Sequence, residues 1–202
     1  MTVGDEGYRF AYREHAQALY DTLREDAFYT TMEQSVSRED GQYEALLRYL
    51  DYSMVEADEH GLLHFPETQR QGVAIWSQPL AVGAEVRKRH AKLDFLRQHM
   101  GTASAATYND IVDFMSHQSD TLIDASAWYL SIVGIFPAFQ NRGLGNSLIG
   151  TTLEQANRAG VATFLETFTP RNEPFYRRLG YAVAGTFFEP TIAANYSLMV
   201  RE

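Results

Sequence analysis

The segment Gln140-Asn141-Arg142-Gly143-Leu144-Gly145 separates an apolar run, Trp128 to Ile135 (WYLSIVGI), from a stretch whose Leu144, Leu148, Ile149 and Leu153 share one helical face. The run is rich in aromatic and β-branched residues and is closed by Pro137, so it predicts a strand. Gly160 stands where a helix C-cap would fall. Strand, glycine turn and helix are therefore contiguous. A helix that begins at such a turn has unpaired N–H groups and a partial positive charge at its start, so an anion can dock on main chain alone. Gly143 and Gly145 let that anion approach the amides closely, because they carry no Cβ. Gln140 and Arg142 add side-chain donors, and Asn141, Leu144 and Asn146 complete the turn. The segment predicts a diphosphate cradle.

A lone Gly-x-Gly is most often an ordinary turn, so its surroundings decide. The dinucleotide fingerprint wants Gly or Ala at the position of Leu148, and a P-loop wants Lys where Asn146 stands. Neither nucleotide fold is supported. Gln140 to Gly145 does resemble the acetyl-CoA motif of the GNAT superfamily of N-acetyltransferases, Gln/Arg-x-x-Gly-x-Gly/Ala, at each defined position. Further on, Asn172-Glu173-Pro174-Phe175-Tyr176-Arg177-Arg178-Leu179-Gly180-Tyr181 resembles the second signature of that superfamily, an Asn followed by an aromatic-Tyr pair and a Leu-Gly-aromatic ending. The resemblance is specific from Trp128 to Tyr181. It implies an α/β fold with a mixed sheet, whose two central parallel strands splay apart to receive the pantetheine arm of acetyl-CoA. Backbone groups of Val133, Gly134 and Ile135 would pair with the pantetheine amides.

Acetyl transfer to an amine sets its own requirements. A primary amine with a pKa of about 10.4 must lose a proton before it attacks, and the departing sulfur gains from a proton donor. The resemblance gives the donor role to Tyr176, four residues before Gly180; the alternative for this residue is packing beneath a short helix. Asn172 would start that helix and touch the cofactor, or simply cap the helix. Histone-type members carry a glutamate on the strand before the cradle, where this chain has Tyr129 and Ser131. A branch acting on protein N-termini uses a glutamate on the following strand, which Glu166 resembles. A carboxylate in an apolar strand needs a partner or a function, and Glu166 could also meet Arg171 or an exposed edge. Attack by an already neutral amine is the alternative to a base.

Composition narrows the function classes. A chain of 202 residues, 45% hydrophobic, can bury a substantial core, and no linker, repeat or low-complexity tract divides it, so one domain over 1–202 is expected. The net charge of -9 disfavours nucleic acid, since only Arg87-Lys88-Arg89-His90 is locally basic. There is no cysteine, and the six histidines show no metal-ligand spacing, so no metal is expected. No basic leader precedes an apolar core in MTVGDEGYRF, and no apolar run is long enough to span a membrane. A cytoplasmic protein without a membrane partner is expected.

Elsewhere the spacing predicts a strand over Tyr8 to Tyr12, helices over Glu14 to Arg24 and Arg38 to Glu59, and strands over Leu62 to Phe65 and Gly72 to Trp76 around a polar turn. Two amphipathic helices are expected within an insertion over about 80–127, before the cofactor-binding strand; this insertion departs from a minimal GNAT and either shapes the acceptor pocket, packs as extra core or makes a dimer contact. Val161 to Phe168 predicts the next strand, and Tyr181 to Phe188 with Tyr196 to Arg201 an antiparallel pair whose exposed ends suit a homodimer. The expected activity is transfer from acetyl-CoA to the primary amine of a small molecule. The alternatives are a CoA-binding regulatory module without turnover, and an acyltransferase for a longer acyl chain, a hydroxyl or a protein amine.

Overall fold

The computed structural model describes residues 7–66 and 71–202. Among these residues, six strands form one mixed sheet in the order β1-β2-β3-β4-β6-β5. They are β1 (Gly61–His64), β2 (Gly72–Ser77), β3 (Trp128–Ile135), β4 (Thr163–Thr167), β5 (Ala182–Glu189) and β6 (Ala194–Arg201). Among the described residues only β3 and β4 run parallel, linked by a crossover through α6 (Leu144–Ala159). One face of the sheet is covered by α1 (Arg13–Leu23), α2 (Ala27–Gln34), α3 (Gln42–His60), α4 (Val82–His99) and α5 (Thr102–Ser119), and the other by α6 and α7 (Glu173–Arg178). Strand alternation divides the core accordingly: Val73 and Ile75 pack with α1–α5, whereas Ala74 and Trp76 pack with Leu148, Ile149 and Leu153 of α6.

The expected strand over Tyr8 to Tyr12 is not formed. Its backbone donors are taken instead by Asp51, fully buried on α3, which accepts from the amides of Ala11 (3.2 Å) and Tyr12 (2.6 Å) and from the hydroxyl of Tyr8 (2.6 Å). One carboxylate thus ties the entry segment to the core. Asp51→Ala is expected to cost about 3 kcal/mol of unfolding free energy, because it orphans three donors at once; urea denaturation measures it. The helix expected from Arg38 starts later, at Gln42, after a 3₁₀ turn over Glu39–Gly41, and α2 was not anticipated. Part of the polar turn between β1 and β2, and the beginning of MTVGDEGYRF, lie outside the described residues.

Two features of β3 set up the site. Its register against β2 slips between Ile75 and Trp76: Ile75 faces Ile132 while Trp76 faces Leu130, so Ser131 is an extra residue, a bulge. At the same point β3 and β4 part. Their pairing covers only Trp128 with Thr163, Tyr129 with Phe164, and Leu130 with Leu165. Beyond Leu130 the two strands diverge and leave a wedge. The insertion forms an antiparallel pair, α4 and α5, turned at Gly101 with φ +102. Among the described residues no helix is long and apolar enough to cross a membrane.

Candidate active site

Gly143 caps the start of α6 in the left-handed region (φ +75), and Asn141 before it also has positive φ (+61). This conformation turns the chain from β3 into the helix and leaves the amides of Gly143 to Gly145 without intrahelical acceptors. No side chain caps them, and Asn141, Arg142, Gly143 and Asn146 are exposed. The turn is open at the surface. Gly145 is required for packing as well: a Cβ there would lie 2.8 Å from Cζ of Phe175 on α7. Gln140 and Arg142 brace the loop, Gln140 donating to the carbonyl of Ile135 (3.0 Å) and Arg142 to that of Ala138 (3.1 Å).

The wedge has its own unpaired backbone. Phe136 donates to the carbonyl of Gln71 (2.9 Å), so the alternation of an antiparallel ladder directs the amide and carbonyl of Gly134 toward β2. Those of Val133 and Ile135 point the opposite way, toward the gap left by β4, where the Ile135 carbonyl is already held by Gln140. Gly134 serves a different purpose, since a Cβ there would meet Leu19 of α1 at 2.8 Å.

A cavity of about 670 Å³ opens where the strands part. Val133, Glu166, Asn172 and Tyr176 line it together; Gly134, Ile135 and the turn from Gln140 to Asn146 do not. Glu166 accepts a hydrogen bond from the hydroxyl of Tyr129 (3.0 Å), whose ring stacks on Phe164 at 4.8 Å. Burial raises the Glu166 carboxyl from 4.5 to about 7, against the opposing hydrogen bond from Tyr129. Arg171, considered as a partner from sequence, pairs instead with Glu25. Tyr176 is buried beside Phe175 and Tyr181, and burial, then Tyr181 and Asp26, hold its phenol above the ordinary range, so it keeps its proton at neutral pH. Asn172 caps α7 by position, without a side-chain capping bond.

Several lining residues were not visible from the sequence. Asp26 caps α2 by accepting from the amide of Phe28 (3.0 Å) and also accepts from Thr169 beyond β4 (3.1 Å), so it ties α2 to the wedge. Tyr29, Tyr49 and Tyr108 bring aromatic walls from α2, α3 and α5. Glu85, Lys88, Arg89 and Lys92 come from α4, and Asn109, Met115 and Ser119 from α5, so both insertion helices wall the cavity. Lys92 had a legible signal: it shares a helical face with Phe95 and Leu96, which is unusual for a lysine. No group of His, Cys, Asp and Glu among the described residues is arranged to hold a metal ion.

Residues 81–181, half of the 202-residue chain, match the model of the acetyltransferase (GNAT) family. The fold is shared with solved structures of low identity. The "histone acetyltransferase HPA2 and related acetyltransferase" of Corynebacterium glutamicum superposes with a TM-score of 0.59 at 16% identity, covering 93% of this chain and 88% of that one. The polyamine N-acetyltransferase of Drosophila melanogaster gives 0.54 at 13% identity, over 95% and 97% of the two chains. Arylalkylamine N-acetyltransferase 2 of Aedes aegypti gives 0.51 at 12%, over 96% of each.

Proposed function

This chain belongs to the GNAT acetyltransferase family, and from that premise we propose that it is a cytoplasmic N-acetyltransferase that moves the acetyl group of acetyl-CoA directly to the primary amine of a small molecule. The observation that carries this reading is the hydrogen-bonded Glu166–Tyr129 pair at the point where β3 and β4 part. The residues fit the cosubstrate. The amides of Gly143, Leu144 and Gly145, which lack intrahelical acceptors, with Asn146 beside them, suit the diphosphate, and the backbone of Val133 with the amide of Ile135 suits the pantetheine amides. Asn172 stands near enough to the cavity to contact the bound arm. Acetyl-CoA supplies an activated thioester carbonyl.

Glu166 takes the proton of the incoming ammonium. A carboxyl titrating at about 7 is ionised in a substantial share of molecules near neutral pH, and in that form is basic enough to take this proton before the amine attacks. Tyr129 holds that carboxylate in place through its hydroxyl. Tyr176, uncharged in a buried setting, donates a proton to the departing sulfur. The walls contributed by α4 and α5 restrict the cavity to about 670 Å³, which supports a small acceptor over a protein surface.

Thiol release from acetyl-CoA across a panel of small amines tests the reading. Turnover with at least one amine is expected, whereas CoA binding without thiol release from any acceptor would make this a cofactor-binding module. Tyr176→Phe is expected to lower kcat on the order of a hundredfold and leave CoA affinity within about twofold. Unchanged turnover would return this ring to packing.

A further inference from the structure

The insertion brings a second charged arrangement to the same cavity. Lys92 of α4 is only 5% exposed, and its Nζ lies 3.2 Å from Oε2 of Glu56 and 3.3 Å from Oγ of Ser53, to which it donates. It also sits 5.0 Å from the ring centroid of Tyr49 and 4.6 Å from that of Tyr52. Tyr49, Ser53 and Glu56 project from one face of α3, and Tyr52 is fixed by stacking on Phe95 at 4.1 Å. A carboxylate, a hydroxyl and two aromatic rings are the groups that recognise an alkylammonium ion. Tyr49, Ser53, Glu56 and Lys92 all line the cavity. Stability alone does not account for the arrangement, because a buried ion pair is on average no better than apolar packing of the same volume.

We propose that Lys92 is a specificity-determining residue whose ammonium fills, from within the chain, a cation cage in the acceptor cavity, so that the site takes amines with one cationic end and rejects diamines. The proposal rests on the N-acetyltransferase reading. A diamine whose second ammonium is directed to this cage would have to take the place that Lys92 already fills or share Glu56 with a like charge, which is costly. Lys92 is not offered to an acceptor anion, since Glu56 neutralises it and both rings cover it. The other cavity cations are likewise engaged, Arg89 with Asp113 and Lys88 with Glu85.

The test compares kcat/KM for pentylamine and 1,5-diaminopentane, which differ by one terminal ammonium. Wild type is expected to favour pentylamine. Lys92→Met empties the cage and should move the diamine-to-monoamine ratio at least tenfold toward the diamine. Lys92→Arg, which keeps the charge, should not move it, and Lys92→Met combined with Glu56→Gln should abolish the gain. An unmoved ratio in Lys92→Met, or the same shift in the double variant, would overturn the proposal, as would selective loss of activity on 5-aminopentanoate, which would make Lys92 an anion receptor. Thermal unfolding gives a readout without turnover: millimolar 1,5-diaminopentane should raise the Tm of Lys92→Met above its effect on wild type, and pentylamine should not. If Lys92→Met folds only with added diamine, the cage is supported; if diamine neither rescues folding nor raises Tm, it is refuted. Absence of acetylation by every variant would remove the acetyltransferase reading and leave the melting result to judge the cage.

Discussion

Glu166→Gln is expected to lower kcat by about 10² to 10⁴-fold, the range associated with losing a positioned general base. Glutamine preserves shape and can still meet the Tyr129 hydroxyl, so the loss isolates proton transfer. The pH profile supplies the sign. A base must be ionised, so wild-type kcat/KM should climb as pH rises through about 7 and then level, and Glu166→Gln should lose that limb. Tyr129→Phe should push the limb upward, because the hydroxyl favours the ionised carboxylate that it donates to. Stability should move in the opposite sense to activity. The folded carboxyl titrates near 7 and the unfolded one near 4.5, so ionisation favours unfolding across that interval and the penalty persists above it. After allowing for contact with cavity water and for the weaker bond glutamine makes, Glu166→Gln should be more stable at pH 8 by on the order of 1 kcal/mol. Unaltered turnover in this variant would leave attack by a neutral amine as the mechanism.

Gly143→Asp should weaken CoA binding on the order of a hundredfold. A carboxylate at the N-cap of α6 would stand among the amides assigned to the diphosphate, and like charges repel at that contact distance even at an exposed site. The surrounding space is open, so the side chain meets no neighbour, while φ of +75 imposes a modest backbone cost. Gly143→Asn pays the same backbone cost without the charge and should stay within about fivefold of wild type. Isothermal titration of the three proteins with CoA separates the two effects; equal affinities in all of them would remove the diphosphate from this turn.

Where local chemistry dictates structure, the chain was readable. β3 runs from Trp128 to Ile135 as its aromatic and β-branched composition and Pro137 predict, and α6 ends at a left-handed Gly160. The helical pair of the insertion followed from apolar spacing, and so did the parallel strands on either side of the cradle helix. Tyr8 to Tyr12 has the composition of a strand, but its amides are claimed by Asp51 about forty residues away, a tertiary contact that no local pattern announces. The short α2 escaped because Thr30 and Thr31 weaken an eight-residue helix that is held by Asp26 and packing. The wedge opens beside the bulge at Ser131, and both are properties of pairing rather than of composition.

The site divides along the same line. The two motifs pointed to the turn and to Tyr176, because those residues lie in contiguous signatures, whereas Glu166 stood out as a carboxylate within an apolar strand. The hydrogen bond from Tyr129 to Glu166 joins adjacent strands across the sheet and was not legible; Tyr129 registered only as a position lacking a carboxylate. Tyr49, Glu56 and Lys92 sit on helices whose apolar periodicity reads as core, and much of that reading is right, since Tyr49 belongs to the core cluster while also lining the cavity. The proposed acceptor selection thus rests on residues that double as packing.

A crystal structure of the protein with CoA is the most direct measurement of the central claim, that main-chain groups at the start of α6 and in the β3–β4 wedge hold the cosubstrate with its sulfur facing Glu166. The account predicts the diphosphate within hydrogen-bond distance of the Gly143–Gly145 amides, the pantetheine paired to Val133 and Ile135, and the thiol inside the cavity lined by Glu166 and Tyr176. CoA bound elsewhere, or no CoA bound at millimolar concentration, would contradict it.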